Sequence, residues 1–236
     1  MRRIRAAGER GTLTDAGDER RCAFSSGDFH DPGWTGFGVL RVLNEHRLAP
    51  GAGPVPPRAN MEELVYVLAG SVSGGASADG PASLGPGALY WTGAGHGAGG
   101  GAAPKGWVAG PEGAVVLQAW IRPDRVNAAP SHGWRAGPGQ TRAGWRCLAA
   151  PGGTAGAFAI RQQAWLRAGS LAVGGDGTLS LDPARRYWLQ VLEGTVAVDG
   201  TPLRPGDGLA ITDEGATPAL RAGDAGAELL LFDLPH

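Results

Sequence analysis

"VLAGSV" at residues 67–72 returns as "VLEGTV" at residues 191–196. Each copy is followed by a second shared signature, "LGPGALYWTGAG" at 84–95 and "LRPGDGLAITDEG" at 203–215. Both copies begin in an alternating segment, "LVYVLAGSVSG" or "YWLQVLEGTVAVDG", that runs into a glycine turn. A turn built on Pro-Gly then opens another strand. Alternation with a period of two separates the side chains onto the two faces of a strand, and no window of about fifteen residues carries helical periodicity. The chain therefore reads as a duplicated all-β unit, each half the size of a small barrel. The expected division is an N-terminal barrel over 1–125, a polar Pro- and Gly-rich connection over 126–144, and a C-terminal barrel over 145–236.

Composition removes several function classes. A chain of 236 residues with a formal net charge of −1 has no basic stripe to attract nucleic acid. The N-terminus "MRRIRAAGERGTLTDAGDERR" is charged without an apolar run behind it, so neither a signal peptide nor a membrane span is expected and a cytoplasmic location is. The 42 glycines and 18 prolines are not periodic, which favours many tight turns over disorder. Cys22 and Cys147 stand far apart in sequence and are expected to be small buried residues, not a disulfide.

The turn signatures resemble those of cupin barrels, in which glycine closes the turn after a metal-binding strand and Pro-Gly pre-sets the next. The stretch "FSSGDFHDPGWTGFGVLRVLNEHRLAPGAG" at 24–53 narrows the resemblance to the pirins, which are bicupins. Phe24, Ser25, Asp31, Pro32, Gly36, Phe37, Gly38, Leu40, Arg41, Val42, Asn44, Glu45, Pro50 and Gly51 carry the match. "LQAWI" at 117–121, "GTAGAFAIRQQAWL" at 153–166, "GDGLAITDE" at 206–214 and "LLLFDLP" at 229–235 are similar to the short bacterial pirin-like proteins of the YhaK type. The implied fold is two tandem double-stranded β-helix (jelly-roll) barrels, a bicupin.

The resemblance also implies a metal. Metal-bearing pirins hold an iron, or another divalent transition metal, in the first barrel with three histidines and one glutamate. That donor set suits a borderline ion and leaves positions open for dioxygen or a substrate. Aligned on Met61 and Glu62, the first two ligand slots fall on Pro56 and Arg58. Aligned on Ala94, Gly95 and Gly97, the other two fall on Gly100 and Ala102. No cofactor is therefore expected. A site rebuilt from His96, Glu62 and Glu63 is a poor alternative, because the Arg58 guanidinium repels a cation.

What remains in the first barrel is a candidate pocket of Arg58, Glu62, Tyr66 and His96. Arg58 offers a fork for a carboxylate or phosphate, with His96 and an inward-turned Tyr66 as further donors. The bland alternative sends Arg58 out to solvent or into a pair with Glu62. His46, His30, His132 and His236 are expected on strands or loops facing solvent, and Asp207, Asp213 and Glu214 are expected to form turns. Trp91, Trp107, Trp120, Trp165 and Trp188 read as core packing or as a stacking platform for an aromatic ligand. No catalytic residue is assigned. The expected function is a non-enzymatic ligand-binding or regulatory protein, stress- or redox-related in the broad sense, whose partner is a small anionic or aromatic ligand, with no direct nucleic-acid or membrane contact. The alternative is a quercetin 2,3-dioxygenase-type oxygenase.

Overall fold

The computed structural model describes residues 1–53, 59–74, 83–97, 107–137, 144–153 and 156–236. Among these, regular structure is β-strand apart from one 3-10 turn at Ala7–Glu9. The all-β expectation holds. No helix among the described residues is long and apolar enough to cross a membrane.

The first sheet contains β2 (Gly11–Asp15), β3 (Asp18–Cys22), β4 (Leu40–Leu48), β5 (Glu62–Gly74), β6 (Leu89–Gly93), β7 (Trp107–Ile121) and β8 (Ser131–Arg135), in the order β2-β3-β4-β7-β5-β6-β8. The second contains β1 (Arg2–Arg5), β9 (Gly144–Pro151), β10 (Phe158–Ile160), β11 (Trp165–Leu171), β13 (Arg185–Val198), β15 (Gly208–Thr212) and β16 (Ala219–Pro235), in the order β1-β15-β13-β16-β11-β9-β10. β12 (Asp176–Thr178) and β14 (Thr201–Leu203) join β16 and β13 at the side. These sheets build two compact units, one over 11–139 with 160–162, the other over 1–10, 140–159 and 163–236.

The division differs from the expected 1–125, 126–144 and 145–236 in two places. The first residues belong with the C-terminal unit, because β1 pairs antiparallel with β15, Arg2 opposite Ile211. Part of the expected connection is a strand of the first sheet, since β8 pairs with β6 along Ser131–Arg135. Polar Pro- and Gly-rich composition marks exposed backbone, and an edge strand is exposed on one side as a linker is.

The repeat is exact in its mechanics. β5 and β13 both slip register around their glycine, between Val67 and Val72 and between Val191 and Val196. Gly70 and Gly194 take φ of 69° and 65°. A Cβ there would stand 2.3 Å from the Gly113 carbonyl oxygen in one unit and 2.0 Å from that of Gly226 in the other. Only glycine permits that approach and that backbone, so the bulge bends each long strand pair into a barrel wall.

Alternation then decides what each barrel encloses. Val65, Val67, Val72, Tyr90, Trp107 and Val116 form the core of the first unit, and Tyr187, Leu189, Val191, Leu229 and Leu231 belong to that of the second. Trp107 and Trp188 are fully buried, in line with the packing role expected for them. Cys22 is buried and Cys147 half-buried, and the two form no disulfide. The half-buried Cys147 departs from expectation because β9 lies next to the end of its sheet. Asp207 closes its turn as expected, accepting from the Arg204 N–H at 2.8 Å.

Candidate functional site

Pro56, Arg58, Gly100 and Ala102, the four slots where the resemblance places metal ligands, lie outside the described residues. Of the candidate pocket, Glu62, Tyr66 and His96 are described. On β5 the side chains of Val65 and Val67 enter the core of the first unit, so Glu62 and Tyr66, in the other phase of the strand, face away from it. Tyr66 therefore does not turn inward. Glu62 is committed elsewhere. Its Oε2 accepts from Trp91 Nε1 at 2.8 Å and its Oε1 lies 4.0 Å from Arg161 Nη1. Arg161 is itself held by the Ala129 carbonyl and Ser131 Oγ. Burial raises the Glu62 pKa, with Trp91 and Arg161 opposing. The His96 side chain is exposed, while its backbone N–H donates to Ala128 O at 2.8 Å. The structure does not gather these three into one site.

It gathers another set around His46, the one member of it expected to face solvent. His46 is 0% exposed. Its Nδ1 lies 2.9 Å from Asp18 Oδ1 and 3.1 Å from Oδ2, and its Nε2 lies 3.1 Å from Gln118 Oε1. Gln118 Nε2 in turn donates to Glu63 Oε1 at 2.7 Å, and Trp120 Nε1 reaches the same oxygen at 3.4 Å. Asn44 stands opposite Gln118 in the ladder between β4 and β7. The expectation that His46 faces solvent fails for a simple reason. The phase that carries Leu48 into the core carries Asn44 and His46 as well, and a polar residue on an inward phase looks in sequence like a solvated one.

The second barrel provides an internal control. Val65 opposite Gln118 corresponds to Leu189 opposite Leu231, and Glu63 opposite Trp120 to Tyr187 opposite Asp233. His46 opposite Val116 corresponds to Gly169 opposite Leu229. Over Gly169 lies the Trp145 ring, close enough that a Cβ would meet it at 2.6 Å. Where the first barrel carries Glu63, His46 and Gln118, the second carries Tyr187, Gly169 under tryptophan and Leu231. The fold itself does not require the polar set.

A cavity of about 920 Å³ opens on this polar end, lined by Asp18, Arg20, Ser26, Asn44, Gln118 and Trp120 among others. Asp18 is paired on both sides, with His46 and with Arg20 Nε at 3.4 Å. Burial pushes the Glu63 carboxyl up, against the pull of Gln118 and Trp120. Trp107 also pulls it down, although its indole N–H falls short of a hydrogen bond.

The sign of the pH effect follows. Glu63 titrates higher in the folded chain than its ordinary 4.5, so its contribution to stability is complete below that value. The contribution is lost as pH rises through the folded pKa. Glu63→Gln, which does not titrate, is expected to gain on the wild type as pH is raised from about 5 to about 9. Denaturant midpoints at each pH check this, and a difference that stays constant, or that moves against the variant, contradicts it.

Comparison with known proteins places these features. The family model of the quercetinase C-terminal cupin domain matches residues 147–234. The quercetin 2,3-dioxygenase of Escherichia coli (strain K12) is 30% identical over 233 residues, covering 98% of each chain. Among solved structures, the bacterial pirin YhhW from Escherichia coli, in complex with nickel(II), superposes with a TM-score of 0.87 at 29% identity, covering 100% of this chain and 99% of that one. YhaK from Escherichia coli gives 0.63 at 27% identity, covering 90% and 92%.

Proposed function

The chain belongs to the pirin family of bicupins, the family of the quercetin 2,3-dioxygenases, and we propose that it serves as a metal-free, non-enzymatic ligand-binding or regulatory member working in the cytoplasm. One observation carries the reading. The four ligand slots hold Pro56, Arg58, Gly100 and Ala102, none of which can donate a lone pair to a divalent ion from a neutral or anionic side chain. The stretches around them, 54–58 and 98–106, contain no His, Cys, Asp or Glu from which a site could be rebuilt. Among the described residues no group of three such side chains could hold a metal ion. The residues present do not fit the family's metal.

The guanidinium of Arg58 stays charged at any working pH and opposes a cation nearby. Affinity for such an ion comes from the number of deprotonated donors, and here that number is zero at the aligned positions. The ligand expected for the emptied barrel is small and anionic or aromatic. The oxygenase alternative rests on the names of the relatives, and activity follows the site, not the fold.

Oxygen uptake with quercetin tests the proposal. The protein is expected to match a boiled control with or without added iron or nickel. Metal-dependent turnover above that control contradicts it.

A further inference from the structure

One wall of the first barrel leaves hydrogen-bonding positions open over the cavity. Asn44 is 2% exposed and lines it, with Nδ2 donating to Ser26 Oγ at 3.3 Å and Oδ1 without a partner among the described residues. Asp15 stands exposed on the same wall. Its Oδ1 accepts from the Ala16 N–H at 2.9 Å, and its carboxylate forms no ion pair among the described residues. The Arg20 guanidinium, also on the wall, has its Nε 3.4 Å from Asp18 Oδ2 without the alignment of a hydrogen bond. The Gln118 amide is committed at both atoms, to His46 and to Glu63. A buried polar atom without a partner is costly and uncommon, so Asn44 Oδ1 calls for a donor from outside the chain.

The second unit closes the equivalent positions. Asn44 opposite Gln118 corresponds to Arg167 opposite Leu231, and Trp120 corresponds to Asp233. There Arg167 and Asp233 satisfy each other at 3.0 Å. Asn44 and Trp120 cannot form such a pair, and the first wall stays open.

We propose that this cavity binds a polyhydroxylated ligand of sugar size, whose hydroxyls bond Asn44, Asp15 and Arg20 while its ring lies against the Trp120 indole. The proposal goes beyond the reading attached to Arg58, because Glu62, Tyr66 and His96 do not line this cavity.

The open groups set the ligand's chemistry. Asn44 Oδ1 and the Asp15 carboxylate accept, whereas the Arg20 guanidinium only donates. A hydroxyl answers all three, since it donates through its proton and accepts through its lone pairs. Its bond to a carboxylate or a guanidinium is charge-assisted, so charge on the wall strengthens the contact without requiring a charged ligand. Asp15, with no cation paired to it, decides among charged analogues: it repels a sugar acid and tolerates an amino sugar.

The sheet places these groups together. Asp15 lies opposite Asp18, Arg20 opposite His46 and Asn44 opposite Gln118, along the neighbouring strands β2, β3, β4 and β7. Trp120 follows Gln118 in the same phase of β7, and its half-buried ring offers a face to the C–H bonds of a sugar. The volume of about 920 Å³ falls within the range of about 300–1,000 Å³ common to small-molecule sites.

D-glucose, D-galactose, D-mannose and myo-inositol are the probes, with glucuronate, glucosamine and benzylammonium as charged counterparts. Saturation-transfer NMR and thermal shift are run on the full chain in EDTA. At least one neutral probe is expected to bind and to raise the melting temperature, with glucuronate weaker. Asn44→Leu is expected to weaken that binding about tenfold and Asp15→Ala about fivefold. Asp15 is exposed, so Asp15→Ala carries the test should Asn44→Leu fail to fold. No binding of any neutral probe overturns the proposal, as does glucuronate bound as tightly as the best of them. Binding unchanged in Asn44→Leu, or in Asp15→Ala where Asn44→Leu does not fold, overturns it as well. Glucosamine or benzylammonium bound where no neutral probe is would reveal a cation site in its place.

Discussion

His46→Leu is expected to destabilise the first barrel by about 3 kcal/mol, seen as a lower denaturant midpoint by indole fluorescence. The leucine fills most of the volume but leaves Gln118 Oε1 without its His46 contact, inside the barrel, and Asp18 with Arg20 alone. Each orphaned buried group costs about 1–3 kcal/mol, more where it is charged. The second barrel indicates the rescue. Replacing His46, Glu63 and Gln118 together with apolar residues reproduces the kind of interior found around Leu189, Leu231 and Trp145, and is expected to recover most of the loss. Non-additivity between the single and combined variants measures the coupling along the chain. A His46→Leu protein as stable as the wild type would show that these contacts carry no energy.

Gly194→Val is expected to be more damaging, costing about 4 kcal/mol or more and yielding little soluble protein. Two penalties add. The residue holds φ at 65°, a region that β-branched side chains avoid, and its Cβ would meet the Gly226 carbonyl at 2.0 Å and the Ala227 Cα at 3.2 Å. Backbone on both sides leaves no flexible side chain to move aside. Gly200→Val separates the two effects, because φ there is 81° but nothing lies within 4 Å of the added Cβ. That variant is expected to lose only about 1–2 kcal/mol. Equal losses at the two positions would show that the close approach to Gly226 is not what bends the barrel wall.

The two glycines were legible because a turn residue and its alternating flanks recur in both halves, and local patterns survive translation into structure. Pro-Gly at 86–87 and at 205–206 and the phase of Val65 and Val67 are of the same kind. Two other features were not legible. β1 joins the C-terminal unit through a pairing with β15 about two hundred residues away, which no local pattern encodes. His46 was read as solvent-facing because an inward polar residue and an outward one look alike until the partners are known, and its partners Asp18 and Gln118 come from two other strands. The candidate pocket of Arg58, Glu62, Tyr66 and His96 was drawn around an aligned ligand slot; Arg58 lies outside the described residues, and β5 turns Glu62 and Tyr66 away from the barrel interior. A signal was present all the same. Glu63, Gln118 and His46 fall on inward phases whose counterparts in the second repeat include Tyr187, Leu231 and Gly169.

The central claim is that this pirin does without the family's metal. Elemental analysis after incubation of the untagged protein with iron, nickel, copper and zinc, followed by desalting, tests it most directly. The expected result is no retained metal beyond trace, since Pro56, Arg58, Gly100 and Ala102 supply no ligand. A near-stoichiometric amount of any one metal would contradict the account.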